Sequence, residues 1–293
     1  MRIVFIGTVA LSKKALEKLI DMQVKVVGVC TKEKSSFNSD FVDLTPTCQE
    51  NDIPNIFVED INAQETIAWI KARKPDVIFC FGWSSLLKKE LLHLAPLGVI
   101  GYHPAKLPQN RGRHPLIWAL ALGLKESAST FFFMREGVDD GDVLSQKDFV
   151  ISDEDDAQSL YTKVTNLAMR QIEEFVPALQ NGTYQRVAQN HNEANVWRKR
   201  GKRDGAIDFR MSSRAIYNLV RALSKPYVGA HFVYKEKEIV VYKAQIIENN
   251  TPNIESGKVL ESTHEYIVVK TYDGAIKLFD YECIELPKVG EYL

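Results

Sequence analysis

The 293-residue sequence is poor in the features that tie a chain to a special environment. Its four cysteines, Cys30, Cys48, Cys80 and Cys283, make no CxxC pair and have no histidine at metal spacing. That excludes a zinc ribbon and a disulfide scaffold. Cys30 and Cys80 fall in apolar strands and read as buried thiols of a protein in the reducing cytosol. No apolar run approaches the length of a membrane span. The opening run, residues 1–7, is too short for a signal peptide and lacks a cleavage site. No charge of either sign dominates: 37 Lys and Arg stand against 38 Asp and Glu, a net charge of -1. A globally basic surface for nucleic acid or for a membrane is thus excluded. The first turn carries one glycine, Gly7, so the dinucleotide-binding fingerprint is missing. There is no internal repeat and no low-complexity tract.

What is present is an alternation of apolar strands and amphipathic helices. Arg2–Ile6, a Gly7-Thr8 turn, a helical spacing at Leu11, Ala15, Leu16, Leu19 and Ile20, and the strand Val24–Cys30 make a βαβ opening with a parallel sheet. Thr31–Thr45 is polar and is expected to be a mobile loop. Asn55–Val58 predicts a minor strand, Ala63–Arg73 a helix, Asp76–Phe81 a buried strand and Leu86–Leu94 a helix capped by Ser84 or Ser85. Val99–Tyr102 is the next strand. A helix is expected over Leu116–Leu122, strands over Ser129–Met134 and Val143–Val150, and a long helix over Asp156–Leu179. At this length two domains are the natural expectation: residues 1–184, a polar and basic linker over 185–205, and 206–293. The last part opens with a helix over Ser213–Leu223 and continues in short strands with Gly and Asn turns, as in a small OB-like β-barrel.

The chain is organised around Gly98–Gly112. The strand ending at Tyr102 delivers His103 into a loop stiffened by Pro104, Pro108 and Pro115. A histidine held at the carboxyl end of a strand lies where open α/β sheets place ligands, and is suited to general base work. The acidic turn Gly137–Asp142 offers three carboxylates. They can cap backbone amides, orient a histidine or hold magnesium; no phosphate-cradling loop accompanies them, so metal ranks last. Arg111, Arg113 and His114 suit either a solvated loop or an anion-binding loop. The basic run Trp197–Arg203 suits a charged surface linker, or a nucleotide site in which the indole stacks on a base.

These stretches together resemble the formyltransferase family that uses 10-formyltetrahydrofolate. The closest pattern is the branch holding methionyl-tRNA formyltransferases and nucleotide-sugar N-formyltransferases. The likeness spans almost the whole chain. Residues 2–8 match the opening strand, and residues 81–87 (FGWSSLL) match the pterin-holding loop. Residues 103–112 (HPAKLPQNRG) resemble the HxSLLPxxRG signature, residues 137–142 (GVDDGD) resemble the G-x-D-x-G-D turn, and residues 220–230 are similar to the C-terminal VRA…PWPGA block. The resemblance implies a Rossmann-like, mostly parallel catalytic domain followed by a smaller β-rich domain. It implies His103 as base or proton shuttle, with Asp139 orienting it. It implies Phe81, Gly82, Trp83, Ser84, Leu86, Asp140, Gly141 and Asp142 around the folate. The sequence departs from the family at one place: an Asn stands two residues before the histidine, and here that residue is Gly101. Asn110 is the nearby amide that can substitute as oxyanion donor.

Three acceptors are compatible with this family: a nucleotide-linked amino sugar, initiator methionyl-tRNA, or none, in a folate-binding or deformylating relative. A tRNA enzyme needs a wide cationic face, which a net charge of -1 argues against. Gly101 also points away from tRNA enzymes. The amino sugar is the favoured expectation, with Arg111, Trp197, Arg198 and Tyr227 as candidate contacts. No membrane partner and no metal are expected, and a homodimer is left open.

Overall fold

The computed structural model describes residues 1–34, 40–249, 251, 253–282 and 285–293. The centre of the polar loop, residues 35–39, and Cys283 therefore lie outside the described residues. In chain order the elements are β1 (Arg2–Ile6), α1 (Ala10–Asp21), β2 (Lys25–Thr31), α2 (Thr45–Glu50), β3 (Asn55–Phe57), α3 (Gln64–Ala72), β4 (Val77–Cys80), α4 (Lys89–Leu92), β5 (Val99–His103), β6 (Arg111–Gly112), α5 (Pro115–Ala121), β7 (Glu126–Phe133), β8 (Val143–Val150), α6 (Ala157–Asn181), β9 (Val196–Trp197), α7 (Ser213–Ala222), β10 (Ala230–Tyr234), β11 (Lys237–Ile247), β12 (Val259–Ser262), β13 (Tyr266–Lys270) and β14 (Ala275–Glu282). They form two compact units that interleave along the sequence. The first holds residues 1–112, 128–149 and 163–196; the second holds residues 113–127, 150–162 and 197–293.

The first unit is built on a seven-stranded sheet in the order β3-β2-β1-β4-β5-β7-β8. The five strands from β3 to β5 run parallel, and β7 lies antiparallel to β5 with Gly101 opposite Phe132 and His103 opposite Thr130. Parallel strands covered on both faces need continuous apolar runs; VIFC in β4 is buried at all four residues. Aromatic rings fill the core behind β5. Phe81 stacks on Phe79 at 5.2 Å and meets Phe131 edge-on, and Phe131 packs on Phe175 at 4.8 Å. The turn from β1 into α1 is fastened by Ser12, whose Oγ accepts from the Thr8 and Val9 amides and donates to the Phe81 carbonyl at 2.6 Å.

In the second unit Ser212 caps α7 by accepting from the Ala215 amide, and α7 buries Ile216, Leu219 and Val220. Five antiparallel strands follow in the order β10-β11-β14-β13-β12. Their core includes Phe232, Val241, Ile276 and Leu278. Among the described residues no helix is long and apolar enough to cross a membrane.

One local expectation needs correction. The helix expected over Leu86–Leu94 is only α4, Lys89–Leu92. Asn62 takes the groups that would extend it: its Nδ2 donates to the Leu86 carbonyl, and its Oδ1 accepts from the Lys88 amide. Where the polar stretch after β2 ends, α2 begins, and Pro46 occupies its first turn, where a missing N–H costs nothing.

Candidate active site

His103 closes β5 and is 5% exposed. Its Nε2 lies 2.7 Å from the Asn110 carbonyl oxygen. A carbonyl only accepts, so this nitrogen carries a proton and donates it. Nδ1 faces Asp139, with 3.6 Å to Oδ2. The same Oδ2 accepts from the Gly112 amide at 2.8 Å. The signature loop thus meets the histidine at one end, through Asn110, and its carboxylate at the other, through Gly112.

The acidic turn is shaped by a close approach of backbone. A Cβ on Gly141 would collide with the Phe133 carbonyl oxygen, so only glycine fits there. The Phe133 amide donates to the Asp142 carbonyl at 2.8 Å. Asp139 itself holds φ at 48°, a left-handed conformation that aspartate tolerates better than most residues. The three carboxylates point to different partners: Asp139 to His103 and Gly112, Asp142 to Arg135 Nη2 at 2.8 Å. The Oδ1 of Asp140 is buried without a partner among the described residues. Among the described residues no group of three His, Cys, Asp or Glu side chains could hold a metal ion.

Residues 81–87 run as an irregular loop after β4. Gly82 holds φ at 70° against Val9, where a side chain would clash. The Phe81 carbonyl is already taken by Ser12. Trp83 keeps a buried Nε1–H without a partner among the described residues, and Lys32 Nζ lies 5.0 Å from its ring. Leu86 is 71% exposed.

Several sequence expectations take another form. The backbone of Asn110 is engaged at both polar groups: its carbonyl meets His103, and its N–H donates to Asn195 Oδ1 at 2.8 Å. Arg111, expected at an anion, is 7% exposed and turned inward: Nε and Nη2 donate to Gln189 Oε1 at 3.1 and 2.6 Å, and Nη2 lies 3.3 Å from His191 Nδ1. Gln189, which sequence reasoning placed in a surface linker, is 8% exposed and donates from Nε2 to the carbonyls of Asp139 and Gly141. Nothing in a polar segment marks one glutamine as buried, so the sequence carried no signal for it.

In the second unit the basic run is largely occupied by its own partners. Arg198 forms an ion pair with Asp204 and lies over the Trp118 ring at 5.2 Å, and Trp118 Nε1 donates to the Arg198 carbonyl. Arg200 donates to the Asp204 carbonyl, and Lys202 pairs with Glu238 at 2.6 Å. These contacts hold the Asp204 carboxyl well below the usual carboxylate range, the hydrogen bonds from Arg198 and the Gly201 amide contributing most. The Trp197 carbonyl accepts from the Arg113 amide at 3.0 Å. Tyr227 is half-buried, and its amide donates to the Ser224 carbonyl.

Comparison with known proteins gives two family matches: "Formyl transferase" over residues 1–176 and "Formyl transferase, C-terminal domain" over residues 199–282. A methionyl-tRNA formyltransferase of Clostridioides difficile (strain 630) is 30% identical over 303 residues, covering 100% of this chain and 96% of that protein. The N-formyltransferase of Helicobacter canadensis, solved with folinic acid and dTDP-3-aminofucose, superposes with a TM-score of 0.72 at 19% identity, covering 96% of this chain and 99% of that one. A variant of HypX from Aquifex aeolicus gives a TM-score of 0.68 at 20% identity; it covers 95% of this chain, which spans only 43% of HypX. The two structural likenesses show a shared fold.

Proposed function

The chain belongs to the formyl transferase family, and on that footing we propose that it moves the formyl group of 10-formyltetrahydrofolate to the primary amine of a nucleotide-linked amino sugar. Formyl transfer rests above all on the pairing of buried His103 with half-buried Asp139, which the signature loop grips at Asn110 and Gly112. Bound 10-formyltetrahydrofolate, the donor of this family, supplies an activated formyl carbon on N10. His103 accepts the proton that the acceptor amine loses as its nitrogen bonds to that carbon, and returns it to N10 as the carbon–N10 bond breaks. With Nε2–H committed to the Asn110 carbonyl, Nδ1 is the nitrogen that exchanges this proton. Asp139 stabilises the imidazolium while it lasts. Trp83, with its unpaired N–H, and Asp140, with its unpaired carboxylate oxygen, hold the pterin, supported by Phe81, Gly82, Ser84 and Leu86 on one side and Gly141 and Asp142 on the other.

The acceptor is inferred from charge. A tRNA partner would be bound by cations free to meet phosphates. Here Arg198 and Lys202 are paired with Asp204 and Glu238, Arg111 is spent on Gln189, and the whole chain has a net charge of -1. A compact acceptor suits that balance better. Trp197 and Tyr227 are the candidates for its nucleotide, with Arg198 available to it only by giving up Asp204. The second reading, methionyl-tRNA, is favoured by the full-length identity to a methionyl-tRNA formyltransferase. In either case the three buried thiols, Cys30, Cys48 and Cys80, suit a cytosolic enzyme.

Incubating the protein with 10-formyltetrahydrofolate, a panel of UDP-, dTDP-, GDP- and CMP-linked amino sugars and, separately, methionyl-tRNA tests both readings. One formylated sugar nucleotide establishes the proposal. Formylation of methionyl-tRNA alone replaces it with the second reading, and no product with folate still bound overturns both.

A further inference from the structure

We propose that Gln189 is a positioning residue of the transfer site, whose side-chain amide sets the Asp139 carboxylate against His103; the catalytic meaning of this rests on the function proposed above. The four hydrogen-bonding places of this amide are all filled. Oε1 accepts twice from Arg111, and Nε2 donates to the Asp139 carbonyl at 2.8 Å and to the Gly141 carbonyl at 2.6 Å. A guanidinium only donates and a carbonyl only accepts, so the amide has a single satisfied orientation. Buried and saturated, it is a rigid link.

What it links gives it its role. One end grips Arg111, whose chain neighbours are Asn110, the acceptor for His103 Nε2, and Gly112, the donor to Asp139 Oδ2. The other end grips the backbone of Asp139, which sits at a left-handed φ of 48° and costs energy to keep there. Asn195 reinforces the loop end, its Oδ1 and its carbonyl accepting from the Asn110 and Arg111 amides. Gln189 thus ties the acidic turn to the signature loop, bonded to the backbone of one partner of the catalytic ring, Asp139, and one residue from the other, Asn110. Gln189 touches neither His103 nor the reacting atoms, so it acts through Asp139.

Two variants separate this from a general effect on folding. Gln189→Glu keeps the shape and the Arg111 contact but turns an oxygen toward two carbonyls; Gln189→Leu removes both ends. Both are expected to lower kcat on the order of ten- to a hundredfold, as small misplacements at a reacting centre do, a loss larger than any rise in KM for 10-formyltetrahydrofolate that follows from releasing the Gly141 carbonyl. In an Asp139→Asn background Gln189→Leu is expected to cost almost nothing further, since residues acting through one another are not additive. A multiplicative loss in the double variant, or a KM that rises with kcat unchanged, overturns the proposal. A readout independent of the reaction is the Gly112 amide, whose partner is Asp139 Oδ2. Its hydrogen exchange should quicken about tenfold or more in Gln189→Leu, while amides of β1 and β4 keep their protection. Unchanged Gly112 exchange overturns the positioning role even if no acceptor is found. No turnover by the wild-type protein, with Gly112 exchange quickened, removes the function proposed above and leaves the link intact.

Discussion

Gly101 and Met134 compete for one place. A Cβ built on Gly101 would stand 2.8 Å from Met134 Cγ and 3.0 Å from its sulfur, with the Phe132 ring at 3.1 Å. The thioether fills the space that a side chain on β5 would need. A thioether has no proton to donate, so the side-chain amide that the family resemblance implies at position 101 is replaced by an apolar filler.

Gly101→Asn alone is therefore expected to overpack the strand and to cost about 1–3 kcal/mol. Combining it with Met134→Ala should return most of that loss. Thermal unfolding midpoints of the two variants and the wild type check this, and a single variant as stable as the wild type would mean that Met134 yields freely.

His103→Ala is expected to lower formyl transfer by about 10²- to 10⁴-fold, the usual contribution of a positioned acid–base group. Binding of the folate, followed by fluorescence titration, should stay close to that of the wild type. Turnover retained at the wild-type rate would remove the ring from the reaction.

His114 offers a prediction in pH. It is half-buried, opens α5 at a left-handed φ of 56°, and is held below its ordinary value of 6.5, first by burial and then by the charges of Arg113, Arg200 and Lys199. A folded-state value below the unfolded one means that the unfolded chain binds more protons, so stability falls as pH drops through the ordinary histidine range. His114→Asn keeps the backbone conformation and removes this term. Its unfolding midpoint should gain on that of the wild type as pH is lowered from about 7 to about 5. A constant gap across that range would show no such linkage.

Arg221 anchors the second unit from within. It is buried; Nη1 donates to the carbonyls of Ser152, Asp153 and Asp155, and Nε to Asn218 Oδ1. Arg221→Met is expected to strand those acceptors and cost about 3 kcal/mol. Denaturant titration reads this directly as a lower midpoint at an unchanged slope.

The parts of the fold that were legible in the sequence are those set by local periodicity. The β1–α1–β2 opening, the buried strand β4, the delivery of His103 by β5 and the amphipathic stripe of α6 follow from apolar spacing and from proline and glycine placement. The Asp139 turn was legible because glycine on both sides of an acidic cluster permits little else. What was hidden depends on contacts distant in sequence. The truncation of α4 is decided by Asn62, and the inward turn of Arg111 by Gln189, 78 residues away. The contest at Gly101 is decided by Met134 on the strand end beyond β7. Strand β12 is short and paired on one edge only, so its alternation is weak.

The interleaving of the two units bears on how such a protein can be divided. The chain passes from one unit to the other after Gly112, Ser127, Phe149, Thr162 and Val196. A gene cut at any single point from 113 to 196 leaves both products incomplete. A crossover there between two homologous genes would put foreign residues into both units at once. A cut within 113–196 should therefore yield complementing pieces rather than autonomous halves, whereas a cut after Val196 keeps the whole first unit in one piece.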